Sequence, residues 1–260
     1  MGLLTNKQYH SNTSYISKSG LDKIRKAPKL YHSHYLDKNK PKEPFNEAFL
    51  TGSAFHTFVL EPELLAKEYV VMPDYKGTGS KYKKESFKAQ HKDKDCISYK
   101  TYSQISGMTD SVLNHPIASK LLKGGVAEQT FTWTDQDTDV KCKCRPDKWN
   151  QERKFILDLK STVDASERGF KNSAIKFRYD VQASFYSDGL IENGFDIERF
   201  YFIAVEKTYP YLVNVFFADS NTLRVGREKY KEDLNTYAEC LFNDEWEGYE
   251  PIIKPLGIEY

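Results

Sequence analysis

The sequence predicts an α/β (α+β) fold, and three observations carry that expectation. Apolar residues recur at helical spacing in 45–60, 101–123, 178–191 and 220–242, the period of helices with one buried face. Between the second and third of these, the runs 126–134, 140–145 and 155–160 alternate with period two, as strands with two unlike faces do. Two further apolar, aromatic runs, 199–206 and 211–218, flank Tyr209-Pro210 as a hairpin. Helices, strands, a helix, strands and a closing helix in that order favour a sheet covered by helices.

The 260 residues are 39% hydrophobic and 29% charged, an ordinary globular profile with enough apolar material for one large core. One domain spanning 1–260 is expected. No apolar run approaches the ~20 residues of a membrane-spanning helix. The opening Met1-Gly-Leu-Leu-Thr-Asn-Lys7 lacks the apolar centre of a signal peptide. Four cysteines without repeated close pairs argue against a disulfide scaffold, so a reducing cytosol is the simplest compartment. A net charge of +1 weighs mildly against a nucleic-acid partner. Net charge does not report distribution, however, and basic groups can be gathered into one channel.

In chain order, residues 1–14 are polar and expected to be loose. Ser17 or Ser19 can cap a helix through Leu21, Ile24 and Arg25 to Ala27, stopped by Pro28. Tyr31 to Tyr35 form a second short helical segment, and residues 37–44 a solvated loop. In the first strong helix, Phe45 to Leu60, Gly52 and His56 lie four apart on one face. A mid-helix glycine costs about 1 kcal/mol relative to alanine, so Gly52 suggests close approach of another backbone. His56 taken alone reads as a core histidine. Residues 73–95 carry Lys76, Lys81, Lys83, Lys84, Lys88, Lys92 and Lys94 with Tyr75, Tyr82 and Phe87 between them. They read as a flexible loop or as a basic aromatic arm for a phosphate backbone.

The helix of 101–123 is interrupted near His115-Pro116 and ends at Gly124-Gly125. Val126 to Thr134 reads as one strand, with Glu128, Thr130 and Thr132 on one face. Val140, Cys142 and Cys144 alternate with Lys141, Lys143 and Arg145, so the two thiols read as small buried side chains. An iron–sulfur cluster needs four suitably spaced thiolates, and Cys96 and Cys240 are distant singles. In Phe155-Ile-Leu-Asp-Leu-Lys160, Phe155, Leu157 and Leu159 share one face and Ile156, Asp158 and Lys160 the other. A hairpin between the runs would bring Asp147 beside Asp158. Two facing carboxylates repel unless a cation lies between them, and hard divalent ions take such oxygen ligands. The plain alternative is a hairpin with a surface Asp-Lys pair. A loop after Thr162 leads to the helix 178–191, where Gln182 and Tyr186 lie four apart on one face.

Pro146-Asp147 followed by Asp158-Leu159-Lys160 resembles the PD-(D/E)xK nuclease superfamily. The order of Gly52-Ser-Ala-Phe-His56, Glu128, Pro146-Asp147, Asp158-x-Lys160 and Gln182-x-x-x-Tyr186 resembles its RecB-like branch. More closely, the chain resembles RecE-type exonucleases, the nuclease domain of exodeoxyribonuclease VIII. That likeness runs through Tyr15–Asp22, Ala27–Tyr31, Gly52–Pro62, Cys142–Asp147, Tyr179–Gly189 and Asp244-Glu-Trp246, nearly the whole chain. The resemblance implies a restriction-endonuclease-like core, a mixed central sheet flanked by helices. It implies a metal-dependent exonuclease that degrades the 5′-ended strand of linear double-stranded DNA, leaving 3′ tails for recombination by strand annealing. It makes His56, Asp147, Asp158 and the Leu159 carbonyl metal ligands and Lys160 the group that orients or deprotonates the attacking water. Glu128 becomes a further acid near the metals, and Gln182 and Tyr186 position the DNA strand and the site. Two Mg²⁺ ions per site (or Mn²⁺), a homotetrameric ring, a RecT-type annealing partner and a phage or prophage origin in a bacterial cytoplasm complete the implied picture. A structure-specific endonuclease of the superfamily and an inactive DNA-binding protein on this fold are the competing readings.

Overall fold

The computed structural model describes residues 6–41 and 46–256. Phe45, residues 42–44 of the expected loop and residues 1–5 of the polar N-terminus lie outside them. The elements begin with α1 (Asn6–Ser11), α2 (Lys18–Lys26) and α3 (Pro28–Tyr31), which runs into a π-helical turn, His32–Leu36. Next come α4 (Glu47–Leu60), α5 (Leu65–Glu68), β1 (Tyr69–Met72), α6 (Ser80–Gln90), β2 (Asp95–Ser98), α7 (Tyr99–Asn114) and α8 (Ala118–Leu121). The strands β3 (Val126–Ala127), β4 (Phe131–Thr134), β5 (Lys141–Cys144), β6 (Lys148–Asn150) and β7 (Phe155–Thr162) follow. After α9 (Glu167–Lys176) and α10 (Tyr179–Glu192) come β8 (Arg199–Glu206), β9 (Val213–Phe217) and α11 (Ser220–Asn243).

The central sheet has five strands in the order β3-β6-β7-β8-β9. Only β7 and β8 pair in parallel, and the other neighbours are antiparallel. The sheet is therefore mixed, and β7 lies at its centre. Its alternation sorts two cores. Phe155, Leu157 and Leu159 pack with Phe55 of α4, Ile105 and Met108 of α7 and Leu121 of α8. On the opposite face Ile156 joins Phe200 and Phe202 of β8, Phe185 of α10 and Leu234 of α11. Among the described residues no helix is long and apolar enough to cross a membrane.

Several expectations need correction. The run 126–134 is not one strand. Glu128 adopts a left-handed backbone with φ 51°, which ends β3 and hands the chain to a separate two-stranded sheet, β4–β5. Period-two alternation continues across the break, so it could not mark it. The polar N-terminus forms α1, and Ile16 bridges Cys142 beside β5. This segment covers the face opposite the thiols, so Lys143 and Arg145, which alternate with them, are buried as well. Lys143 donates to the carbonyls of Tyr9 at 2.6 Å and Asn12 at 2.5 Å. Within 73–95, α6 is helical with no buried residue and leads into β2. The loop expected after Thr162 contains α9, which anchors through buried Phe170. The thiols lie on separate elements: Cys96 on β2, Cys142 and Cys144 on β5, and Cys240 on α11.

Gly52 is also not where the expectation put it. A Cβ there would meet nothing within 4 Å, so among the described residues no other backbone approaches it. Within a helix, close approach of another backbone is found instead at Gly226 of α11, where a Cβ would come 2.1 Å from the Asp180 carbonyl oxygen. Two substitutions should therefore move stability in opposite directions. Gly52→Ala removes the helix cost of glycine and should raise Tm by about 2–4 °C, from ~1 kcal/mol. Gly226→Ala should lower stability by about 1–3 kcal/mol through overpacking. Thermal melts of both variants check this, and equal shifts would refute it.

Candidate metal-dependent active site

The site forms where β6 stops and β7 continues. β6 pairs with β7 as far as Lys148 opposite Leu157. One step further in that register places Asp147 opposite Asp158. The Leu159 N–H, which would otherwise lack a ladder partner, donates to Asp147 Oδ2 at 2.6 Å. The Glu128 N–H donates to the Asp147 carbonyl at 3.2 Å, so the left-handed turn at Glu128 is tied to the same residue. From α4, His56 places Nδ1 3.4 Å from Asp147 Oδ1.

Asp158 is almost fully buried, at 1% exposure. The Gln182 amide, from α10, donates to its Oδ1, and the Lys160 ammonium pairs with its Oδ2. The face shared by Asp158 and Lys160 is thus as the alternation predicts, but it is enclosed and is not a surface pair. The Lys160 ammonium also lies 4.8 Å from the centre of the Tyr179 ring. Tyr186 is partly buried on α10 and packs toward Phe200.

Among the described residues, His56, Glu128 and Asp147 form a group whose ligand atoms all lie within 4.8 Å of one another. Asp158 is outside that trio, its oxygens engaged by Lys160 and Gln182. Octahedral Mg²⁺ at 2.0–2.1 Å spaces its ligands by roughly 3–4 Å, so the trio needs only small side-chain shifts to close on an ion. One imidazole and two carboxylates are a donor set that suits a divalent metal. For Leu159, the bond from its N–H to Asp147 is the contact that fixes it in the site.

Electrostatics point the same way. Burial, then Asp147, push Glu128 up to about 8. Burial, then Asp147, push Asp158 up to about 6 against the pull of Lys160. Burial opposes ionisation of Asp147, but His56, Lys160 and the Leu159 N–H outweigh it and hold its carboxyl low. Burial pulls His56 down, yet the surrounding carboxylates, Asp147 foremost, carry it to about 9. Lys160 is raised, because Asp158 and Asp147 outweigh its desolvation. The carboxylates thus crowd one another in a way that a cation would relieve.

Residues 17–251 match the family described as "PDDEXK-like domain of unknown function (DUF3799)". The chain belongs to that family. No curated protein matches it in sequence. In structure it is similar to a protein from Eubacterium rectale described as a "Putative exonuclease", with a TM-score of 0.67 and 15% identity over 99% of this chain and 97% of that one. A weaker likeness, TM-score 0.37 and 10% identity over 91% of this chain and 100% of the other, is to a phage related exonuclease from Haemophilus somnus 129PT and carries no argument. Family and fold agree on a PDDEXK-like nuclease fold with a central mixed sheet flanked by helices.

Sequence reasoning did not single out Tyr179, which lies against Lys160, nor Arg145, whose guanidinium donates to Thr130 Oγ1 at 2.9 Å and stacks 4.4 Å from the Tyr9 ring. An aromatic at the first turn of the helix bearing Gln182 and Tyr186 was the available signal for Tyr179.

Two measurements test the site. Saturating Mg²⁺ or Mn²⁺ should stabilise the protein by about 2.7 kcal/mol at 100 times Kd, and Glu128→Gln should shrink that shift. In chelator, Glu128 should bind a proton in the folded state between pH ~4.3, its usual unfolded value, and about 8. Stability then falls as pH rises through that window. Wild type should therefore lose Tm relative to Glu128→Gln from pH 5 to 8, and a constant difference between the two melts would refute this.

Proposed function

We propose that the protein is a Mg²⁺-dependent exodeoxyribonuclease that degrades the 5′-ended strand of linear double-stranded DNA and leaves a 3′ single-stranded tail. The observation that carries the proposal is the β6–β7 register, which sets Asp147 opposite Asp158 with Lys160 on the face of Asp158. The 5′-to-3′ polarity, the RecE-type assignment, a ring-shaped homotetramer and cooperation with a RecT-type annealing protein are supported by the resemblance of Tyr15–Asp22, Gly52–Pro62 and Tyr179–Gly189 to that family. The exonuclease description of the Eubacterium rectale protein is consistent with this reading.

In this reading His56, Glu128 and Asp147 hold the metal, with Asp158 alongside. Bound Mg²⁺ lowers the pKa of water and stabilises charge on the phosphate as a Lewis acid. Lys160, ammonium at neutral pH because Asp158 and Asp147 lie beside it, orients the attacking water through its N–H donors. This differs from a lysine whose pKa falls and which acts as the base. Gln182 fixes the rotamer of Asp158, leaving Oδ2 to Lys160. Tyr186, one turn beyond Gln182 on α10 and packed toward Phe200, positions the DNA strand and the site, a role supported by the resemblance.

Linear duplex labelled at the 5′ or 3′ end, with and without Mg²⁺, tests the proposal. Early release of the 5′ label, only with metal, and survival of covalently closed circles are expected. Cleavage of the circles would favour the endonuclease reading. Asp147→Ala and Asp158→Ala should abolish cleavage while the chain still folds, and near-normal rates in either would sink the metal-site roles. Lys160→Arg should bind duplex ends with unchanged salt dependence and cleave at least ~100-fold more slowly, the low end for loss of one positioned donor, because the planar guanidinium cannot put its N–H groups where the compact ammonium sits. Weak binding with an unchanged single-turnover rate would instead make Lys160 a phosphate clamp.

A further inference from the structure

One aromatic side chain beside this site has no part in the fold's cores. Phe177 links α9 to α10 and is 50% exposed. A lone exposed phenylalanine needs no explanation. What sets Phe177 apart is the rigidity of the backbone beneath it and the company its ring keeps. Its N–H donates to the Ser173 carbonyl at 2.9 Å, and its own carbonyl accepts from Lys18 Nζ at 2.6 Å. The next residue, Arg178, is held left-handed at φ 54° and is clamped by Asp22 and Asp233. A non-glycine residue in that region is strained by about 1–3 kcal/mol and persists only where its surroundings over-determine it.

The ring itself is stacked on Tyr179, with centroids 5.9 Å apart and planes at 26°. Tyr179 is in turn fixed by Phe170 and Phe202 below it and carries the Lys160 ammonium 4.8 Å from its centroid. One ammonium-to-ring contact and one ring-to-ring contact therefore lead from the reacting end of the site to an open aromatic face. A cation lies beside the ring: Lys176 is exposed, 5.4 Å from the Phe177 ring centre, and has no carboxylate partner among the described residues. Exposed aromatic faces beside unneutralised cations are how proteins hold a nucleic-acid strand without reading its sequence, the ring taking a base and the cations the backbone.

We propose that Phe177 is a stacking platform for an unpaired base of the DNA strand whose phosphate lies at Lys160, so that it holds that strand at the site. This rests on the nuclease reading above and deepens it, since it names the residue that engages the base next to the scissile phosphate. A plain hydrophobic contact would need only apolar area. Stacking needs a ring.

The test uses the full chain and a short duplex with 2-aminopurine near its 5′ end. It reads 2-aminopurine quenching in Ca²⁺ buffer and single-turnover cleavage in Mg²⁺. Phe177→Ala should lose the quench and raise the half-saturating protein concentration about tenfold, the middle of the range for one base–aromatic stack. Its maximal rate should stay within about threefold, because ground-state and transition-state binding are lost together. Phe177→Tyr should restore both readouts, and Phe177→Leu should behave as the alanine variant does. Wild-type behaviour in Phe177→Ala, or full rescue by leucine, would overturn the platform alone, since the wild-type enzyme would still cut. Failure of the wild type to bind or cut DNA with any divalent metal would overturn the nuclease reading and the platform with it.

Discussion

The bond from the Leu159 N–H to Asp147 Oδ2 holds the site together. It substitutes a side-chain carboxylate for the backbone partner that β7 loses where β6 ends. In doing so it fixes the loop before β6 against the central strand. Glu128 is tied to the carbonyl of that same aspartate, and His56 reaches its other oxygen from α4. Elements separated by long stretches of chain thus meet on one residue. A buried carboxylate with a hydrogen bond from a backbone amide and a cationic neighbour is satisfied, which is why Asp147 stays ionised while Glu128 and Asp158 are pushed up beside it.

The arrangement divides labour among the acids. Asp158 is enclosed and shared between Lys160 and Gln182, while Glu128 and Asp147 face His56. The group nearest the lysine is therefore the one least free to move. Charge crowding of this kind is a cost to the metal-free fold, and at this site a divalent ion would reverse its sign.

Much of this was legible in the sequence because it depends on period. The alternation of Phe155 to Lys160 put Leu157 and Asp158 on opposite faces, and the two cores divide at those residues. Asp147 could be set beside Asp158 from the hairpin alone. What could not be read depends on single backbone conformations or on tertiary cover. A left-handed Glu128 leaves no mark in hydropathy, so β3 and β4 read as one strand. Lys143 and Arg145 alternate as solvent-facing residues should, and only the N-terminal segment that lies over them makes them buried. Helices α6 and α9 bury little or nothing, so they lacked the apolar stripe by which a helix is recognised. Gly52 illustrates the opposite failure, since its composition cue was real but pointed to a contact that lies elsewhere, at Gly226.

Because β7 is buried on both faces, its frame also acts as a proofreading device. A shift of one residue along β6 or β8 would exchange the two sides of the strand. Asp158 and Lys160 would then be driven among Phe55, Ile105 and Met108, and Leu157 and Leu159 would face the carboxylates. Burying that ion pair among apolar side chains, away from Gln182 and Asp147, is more costly than the gain from an alternative ladder. Chains that reach the native core have therefore already placed their polar groups correctly, and a misaligned but compact population with scrambled chemistry has no stable form to occupy.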